Sequence, residues 1–281
     1  MTPNHAASDS RPAVAWVGAA HGPELEWARA AVAELVDVRD VPDVDAPEPM
    51  PFWPAFVLLG SDASACWQLA DLTTLARRWP LAPLVSVATS LVEGRRRSGP
   101  ALPATEEVPW SELPARLATW LAVRAADRPG TPGLPATARR EDRMLEAVAA
   151  LAPAGPAGIR LSVAAQRPLD LDGLADLLAA AGHEVVRRSC GRPPLDEPAD
   201  VLVWDAGTLD SSQLAWLGLL TANRPGLRIV VIDSFPRSDT ALAALRAGAA
   251  AVIGRPIAPE SLAGALGADR PTGLGPPGRS H

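Results

Sequence analysis

The second half of the chain alternates short apolar runs with segments of helical periodicity, and this alternation constrains the fold more than any other feature. The run Asp200–Trp204 is apolar enough to form a central strand. Before it, Leu171, Leu174 and Leu178 recur at helical spacing, and Gly182 supplies a C-terminal cap. Strands that alternate with helices in this way form parallel sheets with helices on their faces. The pattern therefore predicts an α/β domain.

Four more strands are predicted in the same segment. They cover Ile159–Val163, Glu184–Arg187, Leu227–Ile232 and Ala250–Ile253. Asp210 and Gln213 match a capping box at the start of one helix, and Pro259 suits the first turn of the last helix. We expect five strands and five helices in this segment.

The stretch Arg228–Leu262 resembles the receiver domain of two-component response regulators, the CheY-like family. Receivers show Ala-Gly-Ala at the end of a helix and Lys-Pro after the fifth strand, and here Ala247–Ala249 and Arg255–Pro256 stand at those places. The third strand ends in Asp205, where receivers carry the phosphorylated aspartate. The resemblance implies a doubly wound, flavodoxin-like sheet of five parallel strands over residues 158–267.

The first half of the chain, residues 13–125, resembles a more diverged receiver domain. Ala13–Ala20 fits a first strand, Ala55–Ser61 a third and Leu84–Ala88 a fourth. The fold expected for the chain is therefore α/β, with two five-stranded parallel-sheet domains of the CheY type in tandem.

The remaining residues separate or flank these two domains. Residues 126–157 form a linker rich in Pro and Gly, and within it Arg139–Leu151 has a helical pattern, with Met144, Val148 and Leu151 on one face. We expect this linker to make few contacts and the two halves to fold separately. Residues 1–12 and 268–281 lack apolar periodicity and are expected to be disordered.

The resemblance implies a phosphorylation pocket that has lost most of its chemistry. In receivers an acidic pair binds Mg²⁺, a lysine screens the phosphoryl group, and a Thr or Ser senses it. Only Asp205, the phosphoacceptor equivalent, is unchanged in the second domain. The other positions of this degenerate pocket hold Ala164 and Ala165 for the acidic pair, Asp233 followed by Ser234 for the Thr or Ser, and Arg255 followed by Pro256 for Lys-Pro. We expect no metal, no phosphorylation, and Arg255 as a counter-ion that bridges Asp205 and Asp233.

The first domain retains even less of the pocket. Gly18 and Ala19 stand at the acidic-pair positions, Gly60 at the phosphoacceptor and Val108 at the lysine. A basic loop after its fourth strand, however, offers groups suited to a phosphate or carboxylate. This candidate anion site consists of Arg95, Arg96, Arg97, Ser98 and Gly99, and its alternative interpretation is a solvated basic loop.

Composition excludes several other classes of protein. The net charge of −6 argues against a general nucleic-acid binder. We expect no signal peptide, and the sequence contains no apolar run of the roughly 18 residues that span a membrane. Cys66 and Cys190 lie far apart and are expected to be thiols in a reducing cytoplasm. No Walker loop, GxGxxG, GxSxG or HExxH motif is present, so we expect neither an enzyme nor a bound cofactor.

The sequence therefore predicts a non-catalytic adaptor in a signalling pathway derived from two-component or phosphorelay systems. Its contacts with other signalling proteins are expected through Thr240–Gly248 and Ile257–Leu266, the surface that receivers use for output. Two alternatives stay open. One is a phosphate or small-anion sensor that uses the loop 95–99, and the other is a conventional receiver phosphorylated on Asp205.

Overall fold

The structure of the 281-residue chain is a computed structural model. It describes residues 11–46, 52–62, 67–92, 102, 104–127, 130–134, 138–152 and 158–267. The predictions for Cys66, for Arg95, Arg96, Arg97, Ser98 and Gly99, and for residues 1–10 and 268–281 lie outside the described residues.

The first half of the chain forms one sheet of five parallel strands in the order β2-β1-β3-β4-β5. The strands are β1 (Ala13–Gly18), β2 (Asp37–Val41), β3 (Val57–Ser61), β4 (Leu84–Ala88) and β5 (Thr105–Pro109). The described helices of this half are α1 (Pro23–Leu35), α2 (Leu69–Arg78) and α3 (Leu113–Ala125). Every residue of β3 and β4 is buried, as expected for central strands with helices on both faces.

The second half repeats this topology, with strand order β10-β9-β8-β6-β7. Its strands are β6 (Arg160–Ala165), β7 (Glu184–Cys190), β8 (Val201–Gly207), β9 (Arg228–Asp233) and β10 (Ala251–Gly254). Its helices are α5 (Pro168–Ala180), α6 (Ser211–Asn223), α7 (Ser238–Arg246) and α8 (Pro259–Gly267). Both sheets therefore have the flavodoxin-like order 2-1-3-4-5. The predicted fold class, two doubly wound five-stranded parallel sheets in tandem, is confirmed.

The prediction of five helices in the second half is wrong, because residues 191–200 join β7 to β8 without a helix. Three prolines in this short connection oppose helix formation. Two side chains of the neighbouring helix α6 donate hydrogen bonds to backbone carbonyls of this connection. Trp216 donates from Nε1 to the oxygen of Pro193, and Asn223 donates from Nδ2 to the oxygen of Leu195, both at 2.9 Å.

The linker packs against the second domain, so the expectation that it makes few contacts is wrong. Its helix α4 (Arg140–Ala149) lies beside α8, and Leu151 is buried in the core of the second half. The predicted helix exists, and two of the three apolar residues assigned to one of its faces, Met144 and Val148, are 49% and 42% exposed. One cluster of buried apolar residues also contains members of both halves. The limits 13–125, 126–157 and 158–267 stay predictions.

The helices of the described residues are short or contain charged side chains. None of them is long and apolar enough to cross a membrane.

Candidate functional site

The degenerate pocket lies at the carboxyl edge of the second sheet, where doubly wound folds bind ligands. Ala164 and Ala165 end β6, and Ala165 is the register partner of Asp205 in β8. Asp233 ends the neighbouring strand β9, and Arg255 directly follows β10. Parallel strands thus bring the five predicted positions to a single edge.

Asp205 is buried, and both of its carboxylate oxygens are occupied. Arg255 donates from Nη2 to Oδ2, and the backbone N–H of Gly207 donates to Oδ1 at 3.1 Å. The Asp205 side chain is 3% exposed, and that of Arg255 is 31% exposed. The guanidinium therefore neutralises the carboxylate and covers one of the two oxygens through which a receiver aspartate would attack phosphorus.

The second acidic partner of Arg255 is Asp170, not Asp233 as predicted. Nη2 of Arg255 lies 3.6 Å from Oδ1 of Asp170, which stands in the first turn of α5. The other oxygen of Asp170 accepts a hydrogen bond from Nε of Arg167 at 2.6 Å. No ion pair joins Arg255 to Asp233 in the described part of the chain.

Asp233 is instead held by the backbone. It is 1% exposed, and its Oδ1 accepts a hydrogen bond from the N–H of Phe235 at 3.0 Å. Burial raises the pKa of Asp233, its backbone hydrogen bonds lower it, and the charge of Asp205 raises it further. Ser234 and Pro256, the other two predicted positions, are exposed in the loops that leave β9 and β10.

The pocket edge offers few ligands for a cation. Ala164 and Ala165 are fully buried and present only methyl groups. Within the described residues, no group of three or more His, Cys, Asp or Glu side chains could hold a metal ion.

The corresponding edge of the first sheet is filled by an indole ring that sequence reasoning missed. Gly18 has a φ of +84°, and a Cβ at this position would lie 2.7 Å from the ring of Trp67. Gly60, at the phosphoacceptor position, faces the carbonyl of Ala19 with no room for a side chain. Val108, at the lysine position, is fully buried in β5. The glycines therefore serve close packing at this edge.

A second group of buried polar residues lies between the two sheets, and we call it the junction. It consists of Glu112, Arg116, Thr119, Trp120, Thr131, Gly254, Glu260 and Ser261. Glu112, just before α3, is 5% exposed and reaches the second domain. Its Oε1 accepts the N–H of Gly254 at 2.9 Å, and its Oε2 accepts the hydroxyl of Ser261 at 2.5 Å.

Glu260 makes the opposite connection, from the second domain to the first. It is 2% exposed, and its Oε1 accepts hydrogen bonds from Nε1 of Trp120 at 2.9 Å and from the hydroxyl of Thr131. Nη2 of Arg116 lies 3.8 Å from its Oε2. Burial raises the pKa of Glu260, while the Thr131 hydrogen bond and the Arg116 charge lower it.

Only a local signal in the sequence points to these two glutamates. Each stands at the start of the last helix of its domain, where an acidic residue is explained by the helix dipole alone. Their contacts join residues more than a hundred positions apart, which no local pattern predicts.

Several solved structures are similar to part of this chain. A pilus assembly-related protein from Burkholderia pseudomallei is 29% identical, with 40% of this chain and 93% of that chain covered and a TM-score of 0.34. A pilus assembly protein (cpaE) from Burkholderia thailandensis is 33% identical, with 38% and 94% covered and a TM-score of 0.35. A CheY-like protein (tadZ) from Pseudomonas aeruginosa is 29% identical, with 38% and 95% covered and a TM-score of 0.31. No protein-family model and no curated protein matches the chain.

The assignment follows from the topology and from the placement of the motif residues. Both sheets have the receiver strand order, and in the second domain Asp205 lies near the carboxyl end of the central strand β8, in register with Ala165 at the end of β6. Ala247–Ala249 follows α7, and Arg255–Pro256 follows β10, as in receivers. Both halves of the chain therefore have the doubly wound fold of CheY-like receiver domains, in tandem.

Proposed function

We propose that this protein is a non-catalytic adaptor in signal transduction, which acts through contacts with other signalling proteins and not through phosphoryl transfer. The observation that carries the proposal is the ion pair between Arg255 and Asp205. A carboxylate that attacks phosphorus needs cations to screen the incoming phosphoryl group. Here the guanidinium that stands at the lysine position is already bound to the attacking group and to Asp170.

The residues around the ion pair support the same proposal. Ala164 and Ala165 provide no oxygen ligand for Mg²⁺. Asp233 adds a second carboxyl group close enough to Asp205 for their charges to interact, and this opposes a bound phosphoryl group. In this proposal, Arg255 balances the charge of Asp205, so the pocket needs neither a metal ion nor a phosphoryl group.

The test is exposure of the full chain to acetyl phosphate and Mg²⁺, followed by intact-mass measurement at low temperature and neutral pH. We expect no gain in mass. A stoichiometric gain of one phosphoryl group that disappears in Asp205→Asn would show a conventional receiver and overturn the proposal.

The partner is sought by capture from the native cell extract, with the full chain as bait. We expect proteins and no nucleic acid, in keeping with the net charge of −6, and we propose that the protein acts in the cytoplasm. Mass spectrometry identifies the class of partner, whether a two-component protein or a pilus-assembly protein. Capture that depends on nucleic acid, and is lost on nuclease treatment, would contradict this part of the proposal.

A further inference from the structure

The last helix of the second domain, which was expected to face an outside partner, is covered by the first domain. Helix α8 packs along α3, and Ser261, Leu262, Ala265 and Leu266 are at most 4% exposed. The sequence predicts that this helix forms part of the surface for outside partners. In the structure, helix α3 of the same chain covers it.

The two helices approach closely at one glycine. A Cβ on Gly264 would collide with the backbone carbonyl of Ala115 in α3. Beside this contact, the hydroxyl of Thr119 donates to the carbonyl of Glu260 at 2.8 Å. Backbone cannot move aside as a flexible side chain can, so the absence of a side chain at Gly264 is a condition for the contact.

Each side of this contact contributes one buried glutamate that accepts hydrogen bonds from the other side. Glu112 of the first domain is bound by Gly254 and Ser261 of the second, and Glu260 of the second is bound by Trp120 and Thr131 in the first half of the chain. A buried carboxylate without such donors is costly, because it loses its hydration. The second domain therefore supplies the donors to Glu112, and the first domain and the linker supply the donors to Glu260.

We infer that the end of β10 together with α8 forms a binding surface for the last-helix face of a receiver-like domain, and that the first domain occupies it in cis. Close backbone approach at Gly264 and the reciprocal glutamates make this surface specific for the α3 face of this chain. A second copy of the chain can bind there only after the contact in cis has opened. The inference goes beyond the adaptor proposal, since it holds whether or not Asp205 can be phosphorylated.

The first experiment places a protease site within residues 153–157 of the full chain and cuts it after purification. We expect the two fragments to remain together as a one-to-one complex at micromolar concentration, as measured by size-exclusion chromatography with light scattering. Migration of the fragments as separate species would overturn the inference, whether or not each stays folded.

Paired glycine variants of the cut protein test the contact itself. Gly264→Ala should weaken association of the fragments by about tenfold or more. Gly173→Ala, in α5, is the matched control, because a Cβ there meets nothing within 4 Å. If Gly264→Ala yields a misfolded fragment, Glu112→Gln in the other fragment provides the same test. Association that neither Gly264→Ala nor Glu112→Gln weakens would contradict the inference.

The third experiment tests occupation in cis. A labelled N-terminal fragment is offered separately to the C-terminal fragment and to the intact chain, both immobilised. We expect capture by the C-terminal fragment and at least about tenfold weaker capture by the intact chain. Equal capture by the two would show that the surface is free in the intact protein, and the inference would fail.

Discussion

Arg255 donates a hydrogen bond from Nη2 to Oδ2 of Asp205, and this ion pair lies at the carboxyl edge of the second sheet. The guanidinium group of Arg255 supplies the positive counter-charge of this buried carboxylate. The same guanidinium group reaches Asp170 at 3.6 Å, which ties α5 to the loop after β10. The pocket is therefore a structural cluster of charges in the free protein.

Removal of Arg255 should destabilise the protein. Arg255→Ala leaves the carboxylate of Asp205, 3% exposed, with one backbone donor and without its ion pair. We expect a loss of about 1–3 kcal/mol in the free energy of unfolding at neutral pH, measured by urea denaturation. Arg237→Ala is the control, since its ion pair with Asp239 is exposed on both sides and should contribute little.

Double mutants show which of the two aspartates, Asp205 or Asp233, is energetically coupled to Arg255. Asp205→Asn in the Arg255→Ala chain should recover part of the lost stability, because the unpaired charge is gone. Asp233→Asn in the same background should show weaker coupling to Arg255, since no ion pair joins these two residues in the described part of the chain. Strict additivity of Arg255→Ala and Asp205→Asn would mean that the ion pair is not coupled in solution.

Asp233→Asn should change the pH dependence of stability. Burial raises the pKa of Asp233 in the folded state above its ordinary value of 3.8. The folded protein therefore holds this proton more tightly than the unfolded chain, and stability falls as pH rises from the ordinary to the raised pKa. Asparagine cannot ionise, so the stability of Asp233→Asn relative to the parent should increase between pH 4 and pH 7 in urea melts. A constant difference across this range would contradict the raised pKa.

The sequence predicts the candidate site residues that lie at the ends of strands. Asp205, Asp233 and Arg255 each follow an apolar run, and parallel topology alone brings such positions to one edge. Asp170 was missed because it belongs to a helix, and its distance from Arg255 depends on how α5 packs on the sheet. The direction of the Arg255 side chain, towards Asp170 and away from Asp233, is likewise a matter of packing that strand order does not determine.

The contacts between the domains could not be predicted from local sequence patterns, for a different reason. A linker rich in Pro and Gly usually marks a flexible connection, yet Thr131 and Leu151 within it are buried. Trp67 was not expected in the first pocket, because no periodicity connects it to Gly18. Both features depend on contacts between residues that are distant in the sequence.

Gly18 and Gly22 offer a matched pair for testing the filled edge of the first domain. Both have a positive φ, +84° and +90°, so Ala at either position should cost about 1–3 kcal/mol in backbone strain. At Gly22 a Cβ meets nothing within 4 Å, whereas at Gly18 it also collides with the ring of Trp67. Gly18→Ala should therefore be more destabilising than Gly22→Ala by about 1 kcal/mol or more in urea melts. Equal losses would show that Trp67 does not fill this edge in solution.

Glu260 should link the stability of the junction to pH. Its pKa is raised by burial, while Thr131, Arg116 and Trp120 lower it and Glu106 raises it. Because the net folded-state pKa lies above the ordinary 4.5, the contribution of this group to stability is greatest below that value and declines as pH rises through the raised pKa. Glu260→Gln keeps an oxygen that accepts from Trp120 and Thr131 but cannot ionise, so it should remove this decline.

Glu260→Ala separates the hydrogen bonds of this side chain from its charge. It leaves the Trp120 N–H and the Thr131 hydroxyl without their acceptor in a buried place, at a cost of about 1–3 kcal/mol. We expect Glu260→Ala to be less stable than Glu260→Gln at every pH from 4 to 8, while both lack the decline shown by the parent. Urea melts across this range measure both effects. If Glu260→Gln is as destabilising as Glu260→Ala at pH 7, the ionised carboxylate and its attraction to Arg116 hold the junction together, and the hydrogen bonds alone do not.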